Sequence, residues 1–378
     1  MTKRLCSGLL ALLLLIPGSL LASGEESGHA GTGAAASSDT GTQGEYFQYL
    51  SKSGASAYAG EDLPLPLEQA ALTGAVSRET YLDKDALKFG EGGTASWTVT
   101  VSQDGLYCIS LAYVNQTGNR KDAEIGFLVD GEHPYSQSKA VSLGRIWKDA
   151  TGILQDQRGN DLIPKQEEVA DWTDIQLKDQ SLFTNTPLQV FLTAGEHTFA
   201  IRGGEDGVYL QDIRLTGTTA VRTVGQAEEG LTPGKIGGDG YLKVQAETTD
   251  RKSSQSIYPL YDRTSPATEP YHVSKIRRNV IGQDSWSAPG QWISYKIQDI
   301  PEDGLYYITL KYRQNLQTGQ SSFRSLYING SIPSTAYENV AFPYGVNWDT
   351  MTIVDEQGEP CPVFLKKGDN EIRMEVTM

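Results

Sequence analysis

The chain has 378 residues, a net charge of −15, 21% charged residues, 40 Gly and 16 Pro. That length accommodates two domains, each able to bury a core, and the turn-rich composition excludes a fibrous or mainly disordered chain. No basic face accompanies the acidic balance, which excludes a nucleic-acid partner and disfavours anionic membrane surfaces.

Lys3 and Arg4 precede an unbroken apolar run, Leu9 to Ile16, which Pro17-Gly18 ends; Ala22-Ser23-Gly24 supplies small residues for cleavage. The run is short of the roughly 20 residues of a membrane span, so residues 1–24 are expected to be a cleaved signal peptide. That places the protein outside the cell or on the extracellular face of the envelope. Cleavage leaves Cys108 and Cys361, in different domains, as two free buried thiols. Residues 25–44, rich in Gly, Ser, Ala and Thr, read as a flexible tether.

Two folded regions follow, 45–220 and 238–378, joined by a linker at 221–237. An internal repeat supports the division. Asp104-Gly105-Leu106-Tyr107 recurs as Asp303-Gly304-Leu305-Tyr306 at an offset of 199, which also maps Tyr113 onto Tyr312, Gly131 onto Gly330 and Pro134 onto Pro333. Before this block Trp97 pairs with Trp292; after it Leu192 to Gly195 matches Leu365 to Gly368 at an offset of 173. Tyr107, Ile109, Leu111 and Tyr113 alternate with Cys108, Ser110 and Ala112, and Tyr306, Ile308, Leu310 and Tyr312 repeat the pattern. Period two in aromatic and branched residues predicts strands with these sets facing each core. Asp130-Gly131 and Asn329-Gly330 are hairpin turn signals. Short strands, frequent turns and no long amphipathic helix predict an all-β chain of two tandem β-sandwiches.

The segments Gln291-Trp292-Ile293-Ser294-Tyr295, Pro301 to Tyr306 and Leu310-Lys311-Tyr312-Arg313 resemble the central strands of galactose-binding-like jelly rolls, the fold of many carbohydrate-binding modules. Gln245-Ala246-Glu247 resembles their acidic first-strand motif, which implies Glu247 as a ligand of a structural Ca²⁺. Over nearly all of the chain past residue 45, the order of segments resembles the N-terminal half of large bacterial extracellular solute-binding proteins of carbohydrate ABC transporters. Gly159 to Glu167, Asp262 to Pro266, Trp286 to Ile293 and Arg313-Gln314-Asn315 carry that likeness. It implies a sugar-binding accessory region whose partners are an oligosaccharide or polysaccharide and a separate solute-binding domain or ABC permease.

No nucleophile motif or paired-His zinc motif surrounds the four His, and acid pairs such as Glu167-Glu168 and Glu302-Asp303 are expected to be solvated, so the chain reads as non-catalytic. Sugar binding needs aromatic faces and planar polar groups. Trp286, with Arg277, Arg278 and Asn279 nearby, is the leading platform. Trp147, Trp172 and Trp348 in turn-rich segments are further candidates, and Tyr271 and Tyr344 weaker ones. Arg263, Arg313 and Asn315 are candidate hydroxyl partners. Asp156, Asn160 and Asp161 form a second oxygen cluster open to calcium or to an ordinary turn. A surface structural or protein-interaction module is the rival function, and a polysaccharide-active enzyme a more distant one. Finally, the strand expected at Val208 to Leu215 has no counterpart before Met378. The second sandwich is therefore expected to be truncated and to lack that strand, its place filled by Gly240 to Val244 or, as the resemblance favours, once filled by a downstream domain.

Overall fold

A computed structural model describes residues 9–15, 40–118, 121–179, 186–204, 207–218, 220–236 and 240–377. The chain is nearly all β, and its contacts gather into two units. The N-terminal unit comprises Ala22–Arg145 together with Val169–Thr219. The C-terminal unit takes Ala220 onward, the Leu9–Leu15 strand and Ile146–Glu168. The expected 45–220 region thus loses an excursion to the other unit. Ile146–Asp149 and Gln166–Val169 are strands that continue a sheet through Arg251–Lys252. The buried Lys252 ammonium meets the Asp149 carboxylate there.

In the N-terminal unit, one sheet runs in the order Thr173–Gln176, Gly105–Asn115, Val208–Thr216, Lys84–Phe89, Val76–Tyr81, and faces a second sheet centred on Thr94–Val101 and Gly195–Gly203. The C-terminal unit repeats the plan. Gly304–Arg313 pairs Asp349–Thr352 and Val363–Leu365, as Gly105–Asn115 pairs Thr173–Gln176 and Gln189–Leu192. Tyr107, Ile109, Leu111 and Tyr113 enter one core and Tyr306, Ile308, Leu310 and Tyr312 the other, as the alternation requires. Their neighbours differ. Tyr307, Thr309 and Lys311 are half-buried, whereas Cys108, Ser110 and Ala112 are buried too. The polar members of that set bond sideways within the sheet, Ser110 Oγ lying 2.9 Å from Thr216 Oγ1. Both cysteines are free and buried.

Both hairpin turns have the backbone their sequences demand. Asp130 and Gly131 sit at φ 51° and 85°, Asn329 and Gly330 at 49° and 87°, left-handed values that a two-residue turn needs and that Asp, Asn and Gly tolerate best.

Strand register corrects one pairing. Trp97 lies opposite Phe199 and Tyr295 opposite Ile372. Phe199 and Ile372 are related by the 173 offset, so Tyr295, not Trp292, is the counterpart of Trp97. The length change sits inside the strand, where the register shifts between Ile297 and Ile300.

Three further expectations change. The tether expected to 44 gives way at Thr40 to a helix, Thr40–Ser53. Tyr46 on this helix is buried, and the Tyr46 and Tyr49 hydroxyls accept the Gln189 and Phe191 amides. The expected linker carries a short helix, Val224–Glu228, with a capping box between Thr223 and Gln226. The signal-peptide reading falls mostly outside the described residues. Its Leu9–Leu15 segment is a strand, parallel to Gly304–Arg313. It stands where Val208–Thr216 stands in the N-terminal unit, and Tyr241–Lys243 lies one place further out.

Candidate functional site

The leading sequence candidate is not a platform. Trp286 is fully buried, its indole N–H donates to the Gln291 carbonyl at 3.1 Å, and the Arg324 guanidinium covers its ring at 4.5 Å. Arg324 in turn donates to the Phe323 and Trp286 carbonyls. Burial pulls Arg324 down to about 9. A large indole six residues before a core strand fills the space beneath its own loop.

The neighbours of Trp286 in the prediction are divided. Asn279 is buried and staples a loop: its side chain accepts the Asp262 amide and donates to the Asp262 and Pro270 carbonyls. Arg277 is spent on the Asp161 carboxylate, 2.9 Å away, and on the Gly159 carbonyl. Arg278 is different. It is 8% exposed, its Nε has no hydrogen-bond partner, and its guanidinium lies 5.7 Å from the centre of the Tyr261 ring. Burial lowers its pKa against the opposing pull of Asp161 and two tyrosines.

Aromatic and guanidinium side chains gather instead at the end of the Gly304–Arg313 strand. Backbone bonds between Leu260 and Val280 close the neck of the 261–279 loop. At its start Asp262 reaches the sheet. Its Oδ2 accepts the Trp348 indole N–H at 2.9 Å and pairs with Arg313 at 3.1 Å, and its Oδ1 accepts the Thr264 amide and hydroxyl at 2.7 Å each. Burial works to raise Asp262, but these donors and the Arg313 charge hold it below the usual carboxylate range. Arg313 lies 5.2 Å from the centre of the half-buried Trp348 ring, and its Nε is left without a partner. Tyr261 is 43% exposed, with Arg263 as well as Arg278 at 5.7 Å. The Gly345 amide bonds the Gln314 carbonyl, so exposed Asn315 and Leu316 lie beside the loop that carries Val346 and Trp348.

This end of the sheet brings together Trp348, Arg313, Arg278, Arg263 and Asn315 from the predicted set, and adds Tyr261, Asp262 and Thr264. The missed signal was Tyr261-Asp262-Arg263 itself, an aromatic flanked by planar polar groups in a turn-rich stretch. Chemically, the cluster offers aromatic ring surface beside guanidinium groups. Tyr271 is exposed and Tyr344 half-buried.

Trp172 holds the matching place in the N-terminal unit. Thr173 pairs with Tyr113 as Asp349 pairs with Tyr312, so the indole before each strand is equivalent. There Lys84 lies 5.6 Å from the ring centre, and the Trp172 indole N–H is buried without a partner. Trp147 is half-buried on the excursion strand, opposite Lys252. A cavity of about 270 Å³ in the N-terminal unit, lined by Glu124, His133, Lys139 and Arg202 among others, has no Tyr, Trp or Phe in its wall.

The implied calcium site does not fit the residues present. Glu247 is buried with Oε2 unpartnered, and burial pushes its carboxyl up to about 7 against the pull of Lys243. Among the described residues no three His, Cys, Asp or Glu side chains gather around a metal-sized space, so Glu247 lacks the side-chain oxygens that a calcium ion would share with it. Asp156 is an ordinary turn, accepting the Arg158 and Asn160 amides at 2.8 Å. Asp161 is consumed by Gln155, Arg277 and the Arg278 amide. Glu302 and Asp303 likewise accept the amides of Lys235 and Lys367.

No family model and no curated protein matches the sequence. Among solved structures the chain is similar to the C-terminal CBM6 of LamC, a marine laminarinase from Zobellia galactanivorans, at 13% identity over 41% of this chain and 99% of that one, with a TM-score of 0.26. It is similar to the carbohydrate-binding module CBM6cm-2 of Cellvibrio mixtus lichenase 5A, solved with cellotriose, at 18% identity over 41% and 97%, with a TM-score of 0.25. A Podospora anserina GH26-CBM35 β-(1,4)-mannanase is matched at 15% identity over 42% of this chain with a TM-score of 0.26, the matched part spanning 28% of the mannanase.

Proposed function

We propose that the protein is a non-catalytic carbohydrate-binding protein that holds an oligosaccharide or polysaccharide at the Tyr261–Trp348 loop end of its C-terminal sandwich. One observation carries the reading: an exposed tyrosine and a half-buried tryptophan share that end with the guanidinium groups of Arg263, Arg278 and Arg313, which lie 5.7, 5.7 and 5.2 Å from their ring centres. Sugars present an apolar ring face ringed by hydroxyls, and such a surface answers both halves of that chemistry. Export to the extracellular face, and service as the accessory region of a sugar-transport solute-binding protein, belong to the same proposal. They rest on the N-terminal apolar run and on the order of segments described for the sequence.

Titration calorimetry of the purified chain with a broad set of soluble polysaccharides tests it. Tyr261→Ala and Trp348→Ala are each expected to weaken binding at least tenfold, about 1.4 kcal/mol, while Trp147→Ala leaves it unchanged. Absence of heat with every glycan, or wild-type affinity in both site variants, overturns the reading. Release of reducing sugar would return the chain to the enzymes.

A further inference from the structure

Two signs of charge compete on this molecule. The whole chain carries −15, which by itself favours neutral ligands. At the Tyr261–Trp348 end the balance is reversed. The 261–279 loop holds four bases, Arg263, Lys275, Arg277 and Arg278, against two acids, Asp262 and Glu269, and both acids are already committed. Asp262 pairs with Arg313 at 3.1 Å, and Glu269 pairs with Lys243. Arg277 in turn takes Asp161, at 2.9 Å. Electrostatic reach decides which sign a ligand meets. At physiological ionic strength an exposed charge is screened within about 8 Å. A group bound at this end therefore responds to the guanidiniums beside it rather than to the distant acids of the chain.

Two of those guanidiniums have no counter-ion. Among the described residues neither Arg263 nor Arg278 forms an ion pair. Both stand against one ring, each 5.7 Å from the centre of Tyr261, so two like charges share one aromatic side chain. The ring attracts each cation but carries no net charge, and it cannot replace a counter-ion. Arg263 is exposed, and water meets its charge. Arg278 is only 8% exposed. The Asp161 carboxylate accepts its backbone amide at 2.8 Å, but pairs with the Arg277 guanidinium instead. A buried cation without its own counter-ion is unfavourable. An anion entering beside Tyr261 would offset that penalty and the repulsion between the two guanidiniums together. A guanidinium meets an oxyanion with paired N–H donors in one plane, a fit that a single hydroxyl does not offer.

Resting on the reading of this end as the sugar site, we propose that the sugar it takes is acidic: a glycan bearing a carboxylate or a sulfate, with a pyranose face on Tyr261 and the oxyanion at Arg263 and Arg278. Tyr261, 43% exposed, supplies the apolar contact. The two halves of the cluster then have different tasks. Beside Trp348 the Arg313 charge is already neutralised by Asp262, and its guanidinium also donates to the Thr264 hydroxyl at 2.9 Å. That half matches a neutral unit of the glycan. Beside Tyr261 the charge is uncompensated, and that half selects the acidic unit.

Titration calorimetry of the full chain tests this with three polymers: a neutral galactan, polygalacturonate and a sulfated galactan. A chelator is present throughout, so that no metal ion bridges protein and polymer. At least one acidic polymer is expected to bind at least tenfold more tightly than the neutral one, and the tighter of the two identifies the oxyanion. The chain as a whole is acidic, so attraction of a polyanion reports the local site. Arg263→Glu and Arg278→Gln are each expected to reduce the ratio of acidic to neutral affinity at least fivefold. Lys296→Gln, at an exposed lysine paired with Asp369, is expected to leave the ratio unchanged. Arg278 is buried, so Arg263→Glu, at an exposed position, decides the outcome if the Arg278 variant does not fold. Equal affinity for neutral and acidic polymers, or an acidic preference that Arg263→Glu leaves intact, overturns the proposal and leaves the sugar-binding reading standing. Failure of every polymer to bind overturns that reading and the proposal with it.

Discussion

The two sandwiches solve the same problems with different side chains. Where the Asp130-Gly131 turn meets the neighbouring strand Gly195–Gly203, Asp130 and His197 meet at 2.7 Å in the N-terminal unit. The repeat offsets place Asn329 and Asn370 there in the C-terminal unit, 2.9 Å apart. Asp130 accepts the Thr198 amide as Asn329 accepts the Glu371 amide. Within the cores, the Trp97 indole donates to the Pro66 carbonyl at 2.8 Å, and the Tyr295 hydroxyl donates to the Ala246 carbonyl at 2.9 Å. What the fold holds constant is a backbone group in need of a partner at a given place; which side chain meets it is free to change. The units also differ in what they bury. Among the described residues the buried carboxylates, Asp161, Glu247, Asp262 and Glu375, all lie in the C-terminal unit.

These differences can be broken one at a time. The largest effect is expected from Trp286→Ala, which removes the biggest buried side chain of the C-terminal unit and the π-face under Arg324. It should cost about 3–5 kcal/mol in urea unfolding followed by exchange of C-terminal peptides. The N-terminal peptides should keep wild-type stability, and coupled losses would show that the units unfold together.

Next comes Glu247. Its folded pKa of about 7 lies above the ordinary 4.5, so the folded state keeps a proton that the unfolded chain releases. Stability is full below about pH 4.5 and falls as pH rises toward and through 7, by an amount on the order of 3 kcal/mol. Glu247→Gln should flatten that decline in the C-terminal unit and raise its stability at pH 8. A calcium-dependent rise in wild-type melting temperature that the variant lacks would instead make Glu247 a ligand.

Trp97→Phe and Tyr295→Phe should each cost about 1–2 kcal/mol by leaving a buried carbonyl unpaired. Their effects should add, since the two residues lie in separate cores. A double variant well short of the sum would break the comparison.

The smallest effect belongs to the hairpins. Burial works to lower His197, but its bonds to Asp130 and to the Thr193 carbonyl raise it overall. The contact is therefore present below the ordinary His range and lost as pH rises through the raised value. An exposed pair of this kind is worth less than about 1 kcal/mol. Replacing it with the other unit's chemistry, Asp130→Asn with His197→Asn, should abolish the pH dependence of the N-terminal hairpin in chemical denaturation.

Much of the fold was legible because period-two patterning and turn chemistry are local. Tyr306, Ile308, Leu310 and Tyr312 announce their face within seven residues, and Asn329-Gly330 announces its turn in two. Burial on both faces, as at Cys108 and Ser110, is a tertiary fact that alternation cannot register. The site was harder to read for the same reason. Trp286 and Trp348 both stand in turn-rich segments, and only packing separates them: Arg324 covers one, while Asp262 and Arg313 hold the other at the surface. Tyr261 stood in the local Tyr-Asp-Arg run, but half of its setting comes from Arg278, seventeen residues away in the chain and brought beside it by the loop neck at Leu260 and Val280.

The excursion Ile146–Glu168 has a consequence for anyone who would handle the halves as modules. The backbone changes units at 145–146, at 168–169 and again near 219–220, so no single scission yields two intact parts. A gene fragment opening at residue 221 would encode a C-terminal sandwich whose outer sheet ends at Arg251–Lys252. Asp149 would be missing, and the buried Lys252 ammonium would have lost its counter-ion. In such a fragment Lys252 would be driven to shed its proton, so that solubility and folding yield should improve at alkaline pH. Adding back residues 146–168 as a separate polypeptide should remove that preference.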